Sequence, residues 1–253
     1  MRLPLLAALL APTFLAAQGR DPAPQTRDRS PDIYVGMGFS GGEFEHETSG
    51  SNLDDDAEAI LFRFKFEGTT SGGVGGGVRF EHMASDDDLF RDAGFADTEA
   101  RMFSSYAHFT YEVEGRRFRM PFRAGLMFNY YSLEEVVTDD DIVYSTLGPY
   151  FELAPEITLA GRRQVRWSIY SEFGVGGGFT GIHVDGDDDD YYSATVMWGV
   201  ELGTRLKLGP FEMGFAYLGR WQWMDESEPE NGQIVLGYDA DFQGFLFSVG
   251  SRF

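Results

Sequence analysis

Cysteine is absent from the sequence, which excludes disulfide bonds, zinc–thiolate sites and cysteine nucleophiles. The chain also has no long apolar run after its first 18 residues. The longest stretch there without Asp, Glu, Lys or Arg is 173–184, twelve residues of which five are glycine. Because a spanning helix needs roughly 18 to 20 mostly apolar residues, any insertion into a membrane must use strands.

Basic residues are scarce as well. Lys and Arg number 20 against 41 Asp and Glu, so the net charge is −21 and we expect no nucleic-acid partner. Hydrophobic residues still make up 43% of the chain, which argues against disorder. The aromatic share of 15% and the 32 glycines are both high for the core of a soluble enzyme.

The first residues have the layout of a secretory signal. A positive start at Arg2 precedes an apolar run over 3–15, and small residues follow at Ala16 and Ala17. The next residues are rich in proline and charge and show no periodicity, which is typical of a flexible segment. We therefore predict three parts: a signal peptide at 1–17, a flexible leader at 18–31 and a folded domain at 32–253.

The folded part alternates between apolar and polar residues with a period of two, which predicts strands. In 58–68, four apolar residues including Phe62 and Phe66 share one face, while Arg63 and Lys65 lie on the other. Most of these strands are longer than the five or six residues usual in globular proteins. The pattern predicts about ten strands, with eight to twelve allowed, near 33–44, 58–68, 73–83, 101–113, 117–131, 146–159, 165–181, 193–208, 211–223 and 242–253.

The connections between these strands alternate strictly between short and long. Five long connections hold 27 of the 41 acidic residues and one basic residue, Arg91. A soluble β-sandwich gives no reason for such alternation, and it also buries its large apolar faces. A transmembrane barrel accounts for both, with short turns at one end and long loops at the other.

The chain ends in GFLFSVGSRF, where one face is mostly apolar and the last residue is Phe253. Together with the signal, the alternating strands and the acidic loops, this ending resembles the outer-membrane β-barrel proteins of Gram-negative bacteria. The resemblance implies a single antiparallel transmembrane β-barrel with short periplasmic turns, long extracellular loops and contact with outer-membrane lipid. It also implies recognition by the barrel-assembly machinery through Phe245, Phe247, Val249 and Phe253.

Aromatic residues near strand ends are candidates for the two membrane interfaces. The candidates are Tyr130, Trp198, Trp221 and Trp223 toward the long loops, and Tyr111 and Trp167 toward the short turns.

If the apolar faces meet lipid, the opposite faces place charged residues inside the barrel. Such charges either pair and plug the lumen or line a narrow pore. The candidates are Arg63, Arg79, Arg123, Glu172, Glu201 and Arg205, with Glu152 and Arg220 nearer the ends. We predict a non-enzymatic, cofactor-free barrel, first as a narrow porin-like channel for small polar or ionic solutes. The alternative is a closed barrel that interacts with partners through its acidic loops.

Two weaker patterns point to other chemistry. Asp185, Asp187 and Asp189 have the spacing of a calcium loop, but Asp190 stands where glycine is needed. Solvated loop tips explain these residues more simply, with divalent cations as an unspecific partner.

His46 and His183 lie beside carboxylates at borders between strands and loops, and resemble the Asp/His rim of the omptin proteases. This makes a rim hydrolase the second alternative. No Ser or Asp has a convincing spacing from either histidine, so we expect both to be surface or interface residues.

Overall fold

The computed structural model describes residues 31–50, 54–86, 89–90, 98–135, 141–162, 165–186, 191–229 and 233–253. Every regular element in these ranges is a β-strand, and no helix among them is long and apolar enough to cross a membrane. The strands are β1 Asp32–Thr48, β2 Asp54–Thr69, β3 Val74–Ser85, β4 Thr98–Glu114, β5 Phe118–Glu135, β6 Asp141–Leu153, β7 Glu156–Arg162, β8 Val165–Val184, β9 Tyr191–Leu208, β10 Phe211–Met224 and β11 Tyr238–Arg252.

The strands form one closed antiparallel barrel with ten strand positions around the ring. Apart from β6 and β7, which do not pair with each other, each strand pairs with its neighbours along the chain, and β1 pairs with β11 to close the ring. At the closure Ile33 and Phe253 exchange two backbone hydrogen bonds, at 3.1 and 2.9 Å. We call the end with the short turns and the chain termini the inner end, and the end with the long connections the outer end.

β6 and β7 together occupy a single strand position in the ring, because both lie between β5 and β8. The interruption falls at Ala154 and Pro155, and proline has no backbone N–H to give to a strand ladder. The Pro155 carbonyl still accepts a hydrogen bond from Ser171 N at 3.0 Å, so the ring stays closed across the break. The predicted ten-stranded barrel is therefore confirmed.

The strands extend further toward the outer end than the sequence pattern predicts. β1 continues to Thr48 and β2 begins at Asp54, so acidic residues expected in a long loop lie on strands instead. In these extensions Phe44 and His46 face inward while Glu45 faces outward. The alternation therefore persists, but acidic rather than apolar residues occupy its outer face.

Neighbouring residues on a strand lie on opposite sides of the barrel wall. On β2, Phe62 is 47% exposed on the outer surface, whereas Arg63 next to it is 5% exposed inside the barrel. The same division holds on β5 for Leu126 and Met127, and on β9 for Glu201 and its exposed neighbour Leu202.

Inside the barrel, the outer half holds an apolar and aromatic core that the sequence reading did not predict. Aromatic side chains from β1, β5, β6 and β11 meet at its centre, and methionines and leucines from other strands surround them. Its main members are Phe44, Leu61, Met83, Leu89, Met102, Met127, Tyr131, Tyr144, Ile182, Met197, Leu218, Met224, Tyr238, Phe242 and Leu246.

Glycines on the inner face of β8 make room for large side chains from β6 and β5. A Cβ at Gly174 would lie 2.6 Å from the Tyr150 hydroxyl, and one at Gly176 would lie 2.5 Å from Met127 Sδ. Gly174 and Gly176 thus pack against the interior, as glycines within strands often do.

Candidate functional site

Ion pairs cross the inner half of the lumen between strands that are not neighbours. Arg63 on β2 reaches β9, where its Nη1 donates to Glu201 Oε2 at 2.5 Å. Lys65, two residues further along the same face, donates to Glu172 on β8 at 3.1 Å. Because β8 and β9 lie on the far side of the ring from β2, these contacts bridge the lumen.

Glu81 on β3 is a centre of this network. It accepts from Arg63 Nε at 2.7 Å and from Arg220 Nη2 at 2.9 Å, and Arg79 Nε lies 3.5 Å away. Arg220 belongs to β10, so this carboxylate also holds two distant parts of the ring together. Its side chain is buried, and three guanidinium groups neutralise it.

A second centre lies at Glu152 on β6. Arg79 donates to it at 2.6 Å, and Arg123 and the Tyr150 hydroxyl also hydrogen-bond to it. The Arg79 guanidinium carbon lies 4.2 Å from the ring centroid of Tyr106, which adds a cation–π contact. Arg79 is therefore held both by this carboxylate and by an aromatic ring.

The buried charges inside the barrel balance. Among the described residues, eight basic and eight acidic side chains join ion pairs while keeping less than a fifth of their surface exposed. They are Arg63, Lys65, Arg79, Arg119, Arg123, Arg205, Arg220 and Arg252, and Glu67, Glu81, Glu112, Glu152, Glu156, Glu172, Glu201 and Glu212.

Little space remains between these side chains. Among the described residues, one cavity of about 40 Å³ lies among Lys65, Glu172, Arg205 and their neighbours. A second cavity, of about 20 Å³, lies near Tyr150 and Arg220. Since one water molecule needs roughly 10 to 15 Å³ of such volume, the two cavities hold only a few waters.

On the side of the charged network that faces the outer end, a layer of uncharged polar side chains lies inside the barrel. This layer separates the charged network from the apolar and aromatic core. Ser104 donates to Asn129 at 2.6 Å, and Asn129 donates to Gln222 at 3.0 Å. Gln222 in turn hydrogen-bonds to the Tyr238 hydroxyl in the aromatic core. The lumen is thus filled by charged, polar and apolar layers from the inner to the outer end.

The outer surface of the barrel carries a broad apolar belt. Phe109, Phe179 and Phe245 are among its most exposed members, at 81%, 87% and 61%. Soluble proteins rarely leave so much contiguous apolar surface in water. A barrel with a packed interior and an apolar exterior is built to be surrounded by lipid.

Comparison with known proteins identifies the fold. The sequence matches no protein-family model and no curated protein. Among solved structures, the fold is similar to the outer-membrane protease OmpT from Escherichia coli, with a TM-score of 0.50 and 10% identity, over 90% of this chain and 98% of that one. This chain has an outer-membrane β-barrel fold. Matches with lower TM-scores include the β-domain of the Bordetella autotransporter BrkA, at 0.38 and 11% identity over 89% of this chain and 99% of that one. Another is the attachment protein Ail of Yersinia pestis, at 0.28 and 13% identity over 89% of this chain and 100% of that one.

The outer-membrane β-barrel brings all six predicted lumen charges into one network. Arg63, Arg79, Arg123, Glu172, Glu201 and Arg205 lie inside it, as do Glu152 and Arg220. Sequence reasoning missed Glu81, although it lies two residues after Arg79 and therefore on the same face. It also missed Glu67, which lies 2.8 Å from Arg123 Nε.

The predicted interface aromatics all face outward. Trp198 and Trp221 stack with their ring centroids 3.9 Å apart, and Trp223 lies beside them toward the outer end. Toward the inner end, Trp167 Nε1 donates to Thr204 Oγ1 at 2.5 Å and Tyr111 is exposed. Tyr130 is half-buried on the outer face of β5.

His46 differs from the expected surface placement, whereas His183 lies at the surface. His46 is buried at the outer end of the lumen, where Nδ1 hydrogen-bonds the Tyr131 hydroxyl at 2.7 Å and the ring stacks on Tyr238. Burial lowers its pKa to about 4, so the ring is neutral near pH 7. His183 is exposed on the outer face of β8. His46 therefore points into the lumen and His183 points away from the barrel. The predicted Asp/His rim does not form between them.

A ladder of carboxylates covers the outer face of the extended strands β2, β1 and β11. Directly opposed pairs include Glu43 with Glu58, Glu45 with Asp56 and Glu45 with Asp241. The pKa of Glu45 is raised by burial and by the neighbouring carboxylates. We call this surface the acidic ladder; its members are Glu43, Glu45, Glu47, Asp54, Asp56, Glu58, Asp239 and Asp241.

We expect Glu45→Gln to raise the free energy of unfolding at pH 7 by a few tenths of a kcal/mol, because like charges facing each other across strands are destabilising. A raised folded-state pKa means that this penalty exists above that pKa and disappears below the unfolded value. The gain should therefore shrink with added salt and below pH 4, as measured by urea unfolding in micelles. A gain that is unchanged in 1 M salt would rule out repulsion as its cause.

The acidic triplet of the β8–β9 connection gives no metal site within the described residues. Asp187 and Asp189 lie outside them, while the Asp185 carboxylate accepts a hydrogen bond from Gly186 N at 2.9 Å. No group of three or more His, Asp or Glu side chains in the described part of the chain is arranged to hold a metal ion. Unspecific attraction of divalent cations stays a prediction.

Proposed function

We propose that this protein lies in the outer membrane as a closed barrel, without enzymatic activity, and presents the acidic ladder and acidic loops to cationic partners outside the cell. The observation that carries the proposal is the set of ion pairs that cross the lumen. Arg63 to Glu201, Lys65 to Glu172 and Arg220 to Glu81 each join distant strands. A solute would have to break several buried pairs at once in order to pass.

A porin-like channel is the main alternative. It requires an aqueous path, and the lumen instead holds balanced, paired charges and cavities for a few waters. Ten strands also lie close to the eight-stranded barrels that side chains fill, and far from the 16 to 18 strands of water-filled porins. A rim hydrolase is less well supported, because His46 is buried and His183 points outward.

Polylysine of defined length tests the role of the acidic ladder. We expect Glu45→Gln with Glu47→Gln to weaken polylysine binding to the reconstituted barrel by about tenfold, since clustered charge attracts an oppositely charged partner. Glu226→Gln with Glu228→Gln removes the same charge from an exposed connection and should weaken binding by about twofold or less. Equal losses in the two variants would mean that only net charge matters.

The last residue offers a test of assembly. Phe253 is 74% exposed on the outer surface, and its backbone N–H rather than its ring bonds to Ile33. We expect Phe253→Ala to lower the amount of folded protein in the outer membrane several-fold while leaving refolding into detergent unchanged. Ser251→Ala is the control. Equal losses in cells and in detergent would indicate a structural role instead.

A further inference from the structure

Three of the four tryptophans form one patch on the outer surface. Trp198 and Trp221 stack almost parallel, at an angle of 8°, and Trp223 lies one step further along the same face of β10. Trp198 and Trp223 remain 39% and 43% exposed. The patch therefore presents partly exposed indole rings to whatever surrounds the barrel.

Carboxylates of the acidic ladder adjoin this patch. Asp241 is the cross-strand partner of Trp221, and Asp239 that of Trp223. Glu45 on β1 is the next partner of Asp241. Among the described residues none of these three carboxylates joins an ion pair, and burial raises the pKa of both aspartates.

The patch lies at the border between the apolar belt and the acidic ladder. On β11 the outward residues change from Phe247 and Phe245 to Gln243 and then Asp241. Directly below the border, Phe245 stacks on Phe215 at 5.7 Å. A bound molecule would therefore meet apolar rings on one side and carboxylates on the other.

Acidic residues at the outer end of β4 and β5 are already partnered. There Arg101 lies 2.8 Å from both Glu99 and Glu134. The carboxylates beside the tryptophans have no such guanidinium among the described residues. The Gln243 amide beside Asp241, at 3.4 Å, is uncharged, so the charge beside the tryptophans is less neutralised than that of Glu99 and Glu134.

We propose that the tryptophan patch and its carboxylates bind the headgroup of a membrane amphiphile that carries an ammonium group. Aromatic faces attract such cations through the ring quadrupole, most strongly at Trp. Asp239 and Asp241 supply the opposite charge at a partly dehydrated interface, where attraction is stronger than in bulk water. The alkyl chain lies along the apolar belt at Phe215 and Phe245.

N-dodecylpyridinium is a suitable probe, because it is a cationic amphiphile whose ring quenches tryptophan fluorescence on contact. Trp167→Phe leaves only the patch tryptophans, and the triple variant Trp198→Phe, Trp221→Phe, Trp223→Phe leaves only Trp167 near the inner end. In maltoside micelles we expect the probe to halve the fluorescence of the patch tryptophans at a mole fraction in the micelle about fivefold lower than the one that halves the fluorescence of Trp167. A neutral nitroxide-labelled alkane corrects for the different access to the two sites.

Adding Asp239→Asn and Asp241→Asn to the Trp167→Phe variant should abolish the preference for the cationic probe without changing quenching by the neutral one. Heat-modifiable gel mobility checks that each variant is folded. If quenching by the cationic probe, corrected for access with the neutral probe, is equal at the patch and at Trp167, the proposal is wrong. A preference for the cationic probe that survives the two asparagine substitutions would also overturn the proposal. The same holds if water-soluble tetramethylammonium abolishes this preference at an equal concentration.

Discussion

Replacing Glu81 by alanine is expected to lower the free energy of unfolding by about 3 to 5 kcal/mol, the range for removing one member of a buried ion pair. Arg63 and Arg220 donate to this carboxylate at 2.7 and 2.9 Å, and Arg79 lies 3.5 Å away. Without it, these guanidinium groups stay buried with too few acceptors. Urea unfolding in lipid vesicles, followed by tryptophan fluorescence, measures the loss.

The matched control is Glu58→Ala on the outer face of the neighbouring strand. Glu58 faces Glu43 across the strands, so its removal relieves repulsion and should change stability by less than about 0.5 kcal/mol. Glu81→Gln keeps one acceptor and should fall between the two. A loss below 1 kcal/mol for Glu81→Ala would show that the lumen is hydrated enough to solvate the three cations.

Replacing Tyr131 by alanine is expected to lower the free energy of unfolding by about 3 to 5 kcal/mol, as for other large aromatic residues removed from cores. Tyr131 is fully buried, and its ring centroid lies 5.1 Å from Tyr238 and 5.6 Å from Tyr144. Its hydroxyl hydrogen-bonds His46. The cavity would open at the centre of the outer core.

Two variants separate packing from the hydrogen bond. Tyr131→Phe keeps the ring and should lower stability by about 1 kcal/mol through the lost hydrogen bond to His46. Tyr130→Ala removes the same side chain from the outer face, where it is half-buried, and should have a smaller effect than Tyr131→Ala. Equal losses at positions 130 and 131 would show that the outer core is not tightly packed.

Much of the fold follows from the sequence because alternation is a local property. Phe62 and Arg63 are neighbours whose opposite chemistry indicates which face meets lipid, and the structure agrees. The outer extensions were harder to predict. There Glu45 and Glu47 face outward and His46 faces inward, so a search for apolar residues on the outer face stops too early.

The site is less predictable because its contacts join residues far apart in the chain. The pattern places Arg63 and Glu201 inside the barrel but cannot show that they meet at 2.5 Å, since the registers of all intervening strands decide that distance. The outer core was missed for a related reason. Tyr144 and Tyr238 lie outside the predicted strands, so the pattern gives no reason for them to meet Tyr131; the long strands bring the three together.

Planar-bilayer recording tests the closed lumen most directly. Folded protein, verified by its gel mobility, should insert without unitary current, because the paired charges of β2, β3, β8, β9 and β10 fill the cross-section. Stable unitary steps whose ion selectivity reverses on substituting Glu172→Lys would contradict a closed barrel and favour the narrow channel.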